Sequence, residues 1–312
     1  MTTARPFRFG VEMQAAFDGM SWADSVRLVE DLGYSTMFVP DHFDEGLGPI
    51  AAMASAAMVT TTLNVGSLVL DCDFRHPAIL ARELASIDQL SEGRLEVGLG
   101  AGWKRADYIQ SGIPMDSPKV RVDRMIEHMA VLRALFAPGP ATFSGAHYSI
   151  TGLDGTPKPY RPEGPTFLIG GGAKRVLSFA ARNADIVGVN ASIHSGEIDA
   201  AAAQDSLGTS IDQKVAWVRA SAGPRFEEIE LNAWLSVAAI TETADELAAA
   251  LAGVFATTPD EVVQSPLVLI GSPDQINDRL HARRERWGYS YTVVPGPKAQ
   301  EFAPIVQALT GG

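Results

Sequence analysis

An aspartate followed directly by a histidine, Asp41-His42, closes an apolar run that begins at Tyr34. A carboxylate beside an imidazole can relay or accept a proton near neutral pH, where imidazole changes its charge. The same pair can also be a turn cap followed by a surface histidine, and position alone leaves both readings open. A second run, Gly100-Ala101-Gly102-Trp103, ends another apolar segment. Glycines there either make a tight turn or let a planar ring lie against bare backbone. A third, Gly170-Gly171-Gly172-Ala173-Lys174-Arg175, stands between an apolar run and a helical pattern. Unpaired N–H groups at a helix start, with Lys174 and Arg175 beside them, form an anion site suited to phosphate. Trp103 can stack on a ring or line a pocket, and Asp107 and Tyr108 can face that pocket or solvent.

Other chemistries find less support. His128, His147, His194 and His281 are scattered without metal-ligand spacing. Neighbours such as Asp41 and His42 cannot both project from one strand face, so no metal centre is expected. Neither G-x-S-x-G nor H-E-x-x-H occurs, and no Schiff-base lysine is visible at a strand end. Gly98 to Gly102 space as GxGxG, which is not the dinucleotide fingerprint. Arg75 and His76 flank Pro77, where capping of a helix is the default reading.

The chain of 312 residues carries a formal net charge of −12, against nonspecific nucleic-acid binding and against docking on an anionic membrane. Its hydrophobic share of 46% is enough for a large core. The single cysteine, Cys72, rules out an internal disulfide framework. Residues 1–10 lack the apolar core of a signal peptide, and no run approaches the ~18 apolar residues of a membrane span. The expectation is a soluble cytoplasmic protein acting on a small molecule, with neither nucleic-acid nor membrane partner.

These candidate residues need elements to hold them, and apolar runs alternate with helical patterns along the whole chain. Strands are expected at 7–13, 34–40, 63–70, 95–100, 166–169, 185–190, 229–240 and 289–295. Between them, Ser21 and Asp24 make a capping signal before a helix carrying Trp22, Val26 and Val29. Residues 51–62 form a small-residue helix, and Pro77 opens one with Leu80, Leu84 and Ile87 on a face. Further helices carry Val122, Ile126 and Met129, then 244–255, a start at Ser272-Pro273, and a last one with Phe302, Ile305, Val306 and Leu309. Residues 138–165 read as a long surface excursion. A second excursion covers 191–228, in which 194–209 reads as an Ala-rich mobile loop. About eight alternations favour an α/β fold, a (β/α)8 TIM barrel in one domain spanning 1–312.

The stretch 63–70, Phe74-Arg75-His76-Pro77, Ser91-Glu92-Gly93-Arg94 and Gly100-Ala101-Gly102-Trp103 resemble the corresponding segments of the bacterial luciferase-like family. So do Phe9-Gly10-Val11, Phe143-x-Gly145 with Tyr148, and Gly170-Gly171-Gly172. The runs 258–276 and 283–288 are similar to a branch that uses the deazaflavin coenzyme F420. The resemblance implies a TIM-barrel oxidoreductase, with FMN as the alternative cofactor, and a homodimer. It implies that Asp41 and His42 face the reactive ring edge, and that a non-prolyl cis peptide near Leu68-Val69 on the third strand backs the ring. It places Gly66, Ser67, Leu68, Val69, Gly100, Ala101, Gly102 and Trp103 around the ring. The tail phosphate then belongs at Gly171, Gly172 and Ala173, with Lys174 and Arg175 nearby. Sugar-phosphate dehydrogenases of that branch carry a glutamate proton donor where this chain has Trp103, which speaks against sugar-phosphate oxidation. Asp107 can substitute only if its loop turns inward. A flavin monooxygenase is the alternative within the class. A binding protein without catalysis, or an unrelated barrel lyase, stands outside it.

Overall fold

The computed structural model describes residues 5–44, 46–193, 195–197 and 199–311. Its strands β1 (Arg8–Glu12), β2 (Thr36–Val39), β3 (Asn64–Ser67), β4 (Leu95–Gly100), β5 (Thr166–Gly171), β6 (Ile186–Val189), β7 (Glu230–Trp234) and β8 (Tyr289–Pro295) are all parallel. Each pairs with two neighbours, and β1 joins β8, so the sheet closes into the (β/α)8 barrel. The helices that matter for the mouth are α1 (Trp22–Asp31), α2 (Pro49–Val59), α3 (Pro77–Leu90), α4 (Arg105–Ser111), α5 (Pro118–Phe136) and α6 (Lys174–Asn183). Local chemistry sets their starts. The Ser21 hydroxyl accepts from the Asp24 N–H at 3.1 Å ahead of α1, and His76 caps α3 through the Ala78 N–H at 3.2 Å.

Strand side chains alternate between two faces, so every second residue enters the barrel. The floor is polar. Glu96 is reached there by Arg8 at 2.7 Å, Asn64 at 3.1 Å, Thr36 at 3.2 Å and Tyr291 at 3.1 Å, which compensates a buried charge. Above it Phe38, Leu168, Ile186, Tyr291 and Val293 form an apolar plug. Gly10 and Gly66 leave the Phe38 ring its space, since a Cβ at either would stand 3.0 or 2.7 Å from it. At the C-terminal ends the next inward positions are Glu12, Leu68, Gly100, Gly170, Asn190 and Trp234.

Several expectations change. The run 229–240 is two strands, because after Trp234 the Leu235 N–H still bonds Val293 O (2.9 Å) whereas the Ser236 N–H bonds Leu267 O (2.8 Å). The chain thus leaves the barrel, and Val237–Ile240 pairs outside it with Val268–Gly271. The excursion 138–165 carries an antiparallel hairpin, Ala141–Ser144 with Ser149–Leu153. The stretch read as an Ala-rich loop holds the helix Ala200–Gln204, capped by Asp199, and the start of Gly208–Ala222. His194 lies outside the described residues. No helix among the described residues is long and apolar enough to cross a membrane.

One contact ties the third and fourth strands where the mouth begins. Ser67 Oγ accepts from the Gly98 N–H (3.1 Å) and donates to Gly98 O (3.0 Å), and a Cβ on Gly98 would stand 1.9 Å from Ser67 O. Backbone cannot yield as a side-chain tip does. Gly98→Ala is therefore expected to cost about 3 kcal/mol, read as a lowered urea midpoint. An unchanged midpoint contradicts this packing.

Candidate active site

The C-terminal ends of barrel strands form the face on which barrel enzymes assemble their sites. Beyond β2, Asp41 is 6% exposed and receives Arg75 through two nitrogens, at 2.5 and 3.1 Å, and the Asp71 N–H at 3.1 Å. These donors occupy both carboxylate oxygens. Asp41 therefore ties the segment after β3 to the end of β2, and the expected capping role of Arg75 gives way to this ion pair.

His42 is held differently. Its Nδ1 lies 2.6 Å from Oδ2 of Asp107, a residue of α4 that is 2% exposed. The other oxygen, Oδ1, accepts the Phe43 N–H at 3.3 Å and has the Lys104 ammonium 4.0 Å away. A carboxylate accepts at Nδ1 only a proton that the ring carries there, so Nε2 is the nitrogen of neutral His42 that can take a proton. Trp103 stands edge-on to the imidazole, with centroids 5.5 Å apart and planes at 86°. The sequence left open whether this loop turns inward; Asp107 points inward and is bonded to the histidine.

The loop that carries Trp103 is fixed from behind. Arg121 donates to Ala101 O at 3.0 Å, Gly102 O at 3.3 Å and Asp116 O at 2.6 Å. Tyr108 is buried, with its hydroxyl 2.8 Å from Asp71 and 3.0 Å from Asp73. One hydroxyl hydrogen cannot serve two carboxylates. Burial first, and then the charges of Asp73 and Asp41, push the Asp71 carboxyl up to about 7, and in its protonated form it supplies the second hydrogen. Gly102, at φ +73°, sits against this cluster, and a Cβ there would stand 1.8 Å from the Tyr108 oxygen.

The remaining predicted residues divide between the mouth and the packing beneath it. Gly66 and Ser67 are buried below the mouth. Leu68 and Val69 reach it, half-buried, and the peptide between them is cis, as the resemblance implies. The Val69 methyls occupy the space in front of Gly98 and Gly100, where a Cβ would meet them at 3.0 and 2.6 Å. The first use of those glycines is thus to admit the chain's own valine. At the third run, α6 starts after Ala173 with no side-chain cap, leaving its first N–H groups open. Gly172 lets the 191–192 backbone pass, since a Cβ would stand 2.4 Å from Ala191 C. The nearby cations are engaged elsewhere. Arg175 pairs with Asp123 of α5, and Lys174 Nζ lies 6.0 Å from the centre of the Trp217 ring. The start of α6 therefore offers open backbone groups more than these two charges.

Sequence reading did not single out Glu12, Asn190 and Trp234, which line the mouth. Period-two alternation from Arg8 through Gly10 was the available signal for Glu12. Nothing local announces the Arg75 and Asp107 pairings, which span 34 and 65 residues. Among the described residues no group of His, Cys, Asp or Glu is arranged to hold a metal ion.

Comparison with known proteins agrees with this architecture. An uncharacterized protein of Mycobacterium tuberculosis is 26% identical over 200 residues, 57% of this chain and 70% of that protein. The pyrimidine monooxygenase RutA of Pseudomonas syringae is 31% identical over 170 residues, 54% of this chain but only 45% of that enzyme. The F420-dependent tetrahydromethanopterin reductase of Methanopyrus kandleri superposes with a TM-score of 0.75 at 19% identity, covering 98% of both chains. An F420-dependent secondary alcohol dehydrogenase gives a TM-score of 0.76 at 16% identity, with 98% and 99% covered. An FMN-bound Baeyer-Villiger monooxygenase from Pseudomonas putida gives 0.69 at 16%, with 98% and 96% covered. At such identities the superpositions speak for the fold alone. The family profile described as luciferase-like monooxygenase matches residues 4–291, nearly the whole chain, and the protein belongs to that family of oxidoreductases and monooxygenases.

Proposed function

We propose that this protein is an oxidoreductase that binds coenzyme F420 in the barrel mouth and acts on a small organic substrate, with His42 moving a proton at the ring edge. The observation that carries this reading is the 2.6 Å contact between His42 Nδ1 and buried Asp107 at the end of β2. The residues present suit a ring with an anionic tail. Leu68, Val69, Ala101 and Trp103 offer a largely apolar wall, and the uncapped start of α6 offers open N–H groups to a phosphate. A bound deazaflavin supplies the hydride chemistry. The chain's part is to orient and to handle protons. Asp107 holds the imidazole in one tautomer, Arg75 and Asp41 keep the loop after β2 in place, and Trp103 shields one edge of His42 from water.

A flavin reading has its own support, because a monooxygenase of the same fold is solved in complex with FMN and a pyrimidine monooxygenase is among the similar relatives. Titrating the purified protein with F420 and with FMN separates the two. F420 is expected to bind at least about tenfold more tightly, and a preference for FMN overturns the deazaflavin assignment. His42→Ala is expected to keep F420 affinity while turnover falls about 100-fold or more. Unchanged turnover removes His42 from the reaction, as a binding protein without catalysis would require.

The expected homodimer also has a face to use. Helix α2 contains no charged residue, yet Ala51, Ser55 and Met58, spaced i, i+4, i+7, are exposed on one stripe beside Ile79 and Leu90 of α3. The adjoining groove carries Arg82 next to Glu83, a pair able to meet itself across a two-fold axis. A second copy of this chain is therefore the proposed occupant. Sedimentation is expected to give a dimer, and Met58→Glu with Ile79→Glu a folded monomer. A wild-type monomer at micromolar concentration contradicts it.

A further inference from the structure

We propose that Glu12 is the proton-exchanging group of the substrate side of this mouth, and that its neighbours select an uncharged carbonyl compound or alcohol. The inference rests on the oxidoreductase reading and names a residue and a substrate class for it. Alternation along β1 sends Arg8 to the floor ion pair and Gly10 to the Phe38 ring, so Glu12 enters the barrel at the top layer. There it faces β7, whose Trp234 indole N–H lies beside the carboxyl without closing a hydrogen bond.

The same arc holds other unpaired polar atoms. Oδ1 of Asn232 and Oδ1 of Asn190 are buried without partners, on β7 and just past β6. The Asn190 amide stands in front of Gly170, whose Cβ would lie 3.9 Å from Nδ2. Buried polar atoms left unpaired cost stability, and at the mouth of the barrel a ligand or water can complete their hydrogen bonds. Together they offer one N–H donor, two amide acceptors and a carboxyl group, and the ammonium that touches the arc, Lys214 at 2.9 Å from Asn190 O, is already paired with Asp205 at 2.6 Å. Such a wall suits a neutral oxygen compound and gives a carboxylate or phosphate nothing to pair with.

The surroundings leave Glu12 to titrate alone. Strands β2 and β8 present Phe38 and Pro295 beside it in register, and β7 presents Trp234. The ionisable groups that follow β2 are closed on each other as Asp41–Arg75 and His42–Asp107, and those after β8 as Lys298–Glu301. Burial raises the Glu12 carboxyl to about 7, and the Trp234 N–H opposes the rise. Below that pH the group is a neutral acid, able to give its proton to a carbonyl oxygen as the carbonyl carbon gains hydride. Water then restores the proton. In the reverse direction the carboxylate takes the alcohol's proton. This supplies from β1 the acid that the chain lacks at Trp103.

The test begins on cofactor-free protein carrying 13C-labelled glutamate. One carboxyl resonance is expected to titrate near pH 7, to vanish in Glu12→Gln and to move to higher pH in Trp234→Phe. Absence of any glutamate midpoint above pH 6 overturns the proposal. In protein loaded with reduced F420, uncharged ketones are expected to turn over, with the rate falling as pH rises through 7. Glu12→Gln is expected to lower that rate about 100-fold, and to flatten its pH profile, with KM little changed. An unaltered rate or profile in Glu12→Gln, or a preference for ketones bearing a carboxylate, overturns it. A protein that shows the glutamate titration but turns over no ketone keeps the acid in place and counts against the oxidoreductase reading instead.

Discussion

A carboxylate with almost no access to water has to be compensated, and at the rim of this barrel the compensation for Asp107 comes from His42. Left unpaired, such a group would cost several kcal/mol or give up its charge. The geometry around it follows from meeting that requirement. Helix α4 must begin where it does to bring Asp107 under the rim, and the loop before it must turn sharply at Gly102 to let Tyr108 reach Asp71. Arg121 then holds two carbonyls of that loop, the one that carries Trp103 to the imidazole. A single hydrogen bond to a ring nitrogen thereby decides which end of the histidine remains for chemistry.

The rim works because the barrel beneath it is packed by contrast. A polar floor centred on Glu96 lies beneath an apolar layer around Phe38, and glycines appear where strands or rings press together. Above that layer the inward residues become sparse on β4 and β5, where Gly100 and Gly170 stand. On β1 and β7 they become large and polar, as Glu12 and Trp234. The mouth is thus lopsided. One side is smooth and apolar, shaped by Val69, and the other carries unpaired hydrogen-bonding groups. Under the proposed function, a flat ring and a small polar molecule would each meet one of these two sides.

Much of this was legible in the sequence, and the limits have physical causes. Strands buried on both faces read as apolar runs, so the eight barrel strands and their order could be seen, as could the glycine turns that end them. The run 229–240 misled because nothing in Leu235-Ser236 marks a break. The break arises when backbone bonds switch from Val293 to Leu267, partners far along the chain. The Ala-rich stretch after 194 was read as a loop although alanine favours helix, and Asp199 supplies the cap that makes it one. Asp41 was recognised as important, but its ion pair with Arg75 depends on the path of the chain after β3. Pairing across dozens of residues is a property of the closed barrel, and no local pattern encodes it.

The central claim, that Asp107 holds His42 in the tautomer protonated at Nδ1, is open to direct observation by 15N NMR of labelled imidazole. At a pH where the ring is neutral, the account predicts for His42 a protonated Nδ1 and an unprotonated Nε2, and loss of that bias in Asp107→Asn. A His42 ring protonated at Nε2, or one whose tautomer ignores the Asp107 substitution, would contradict it.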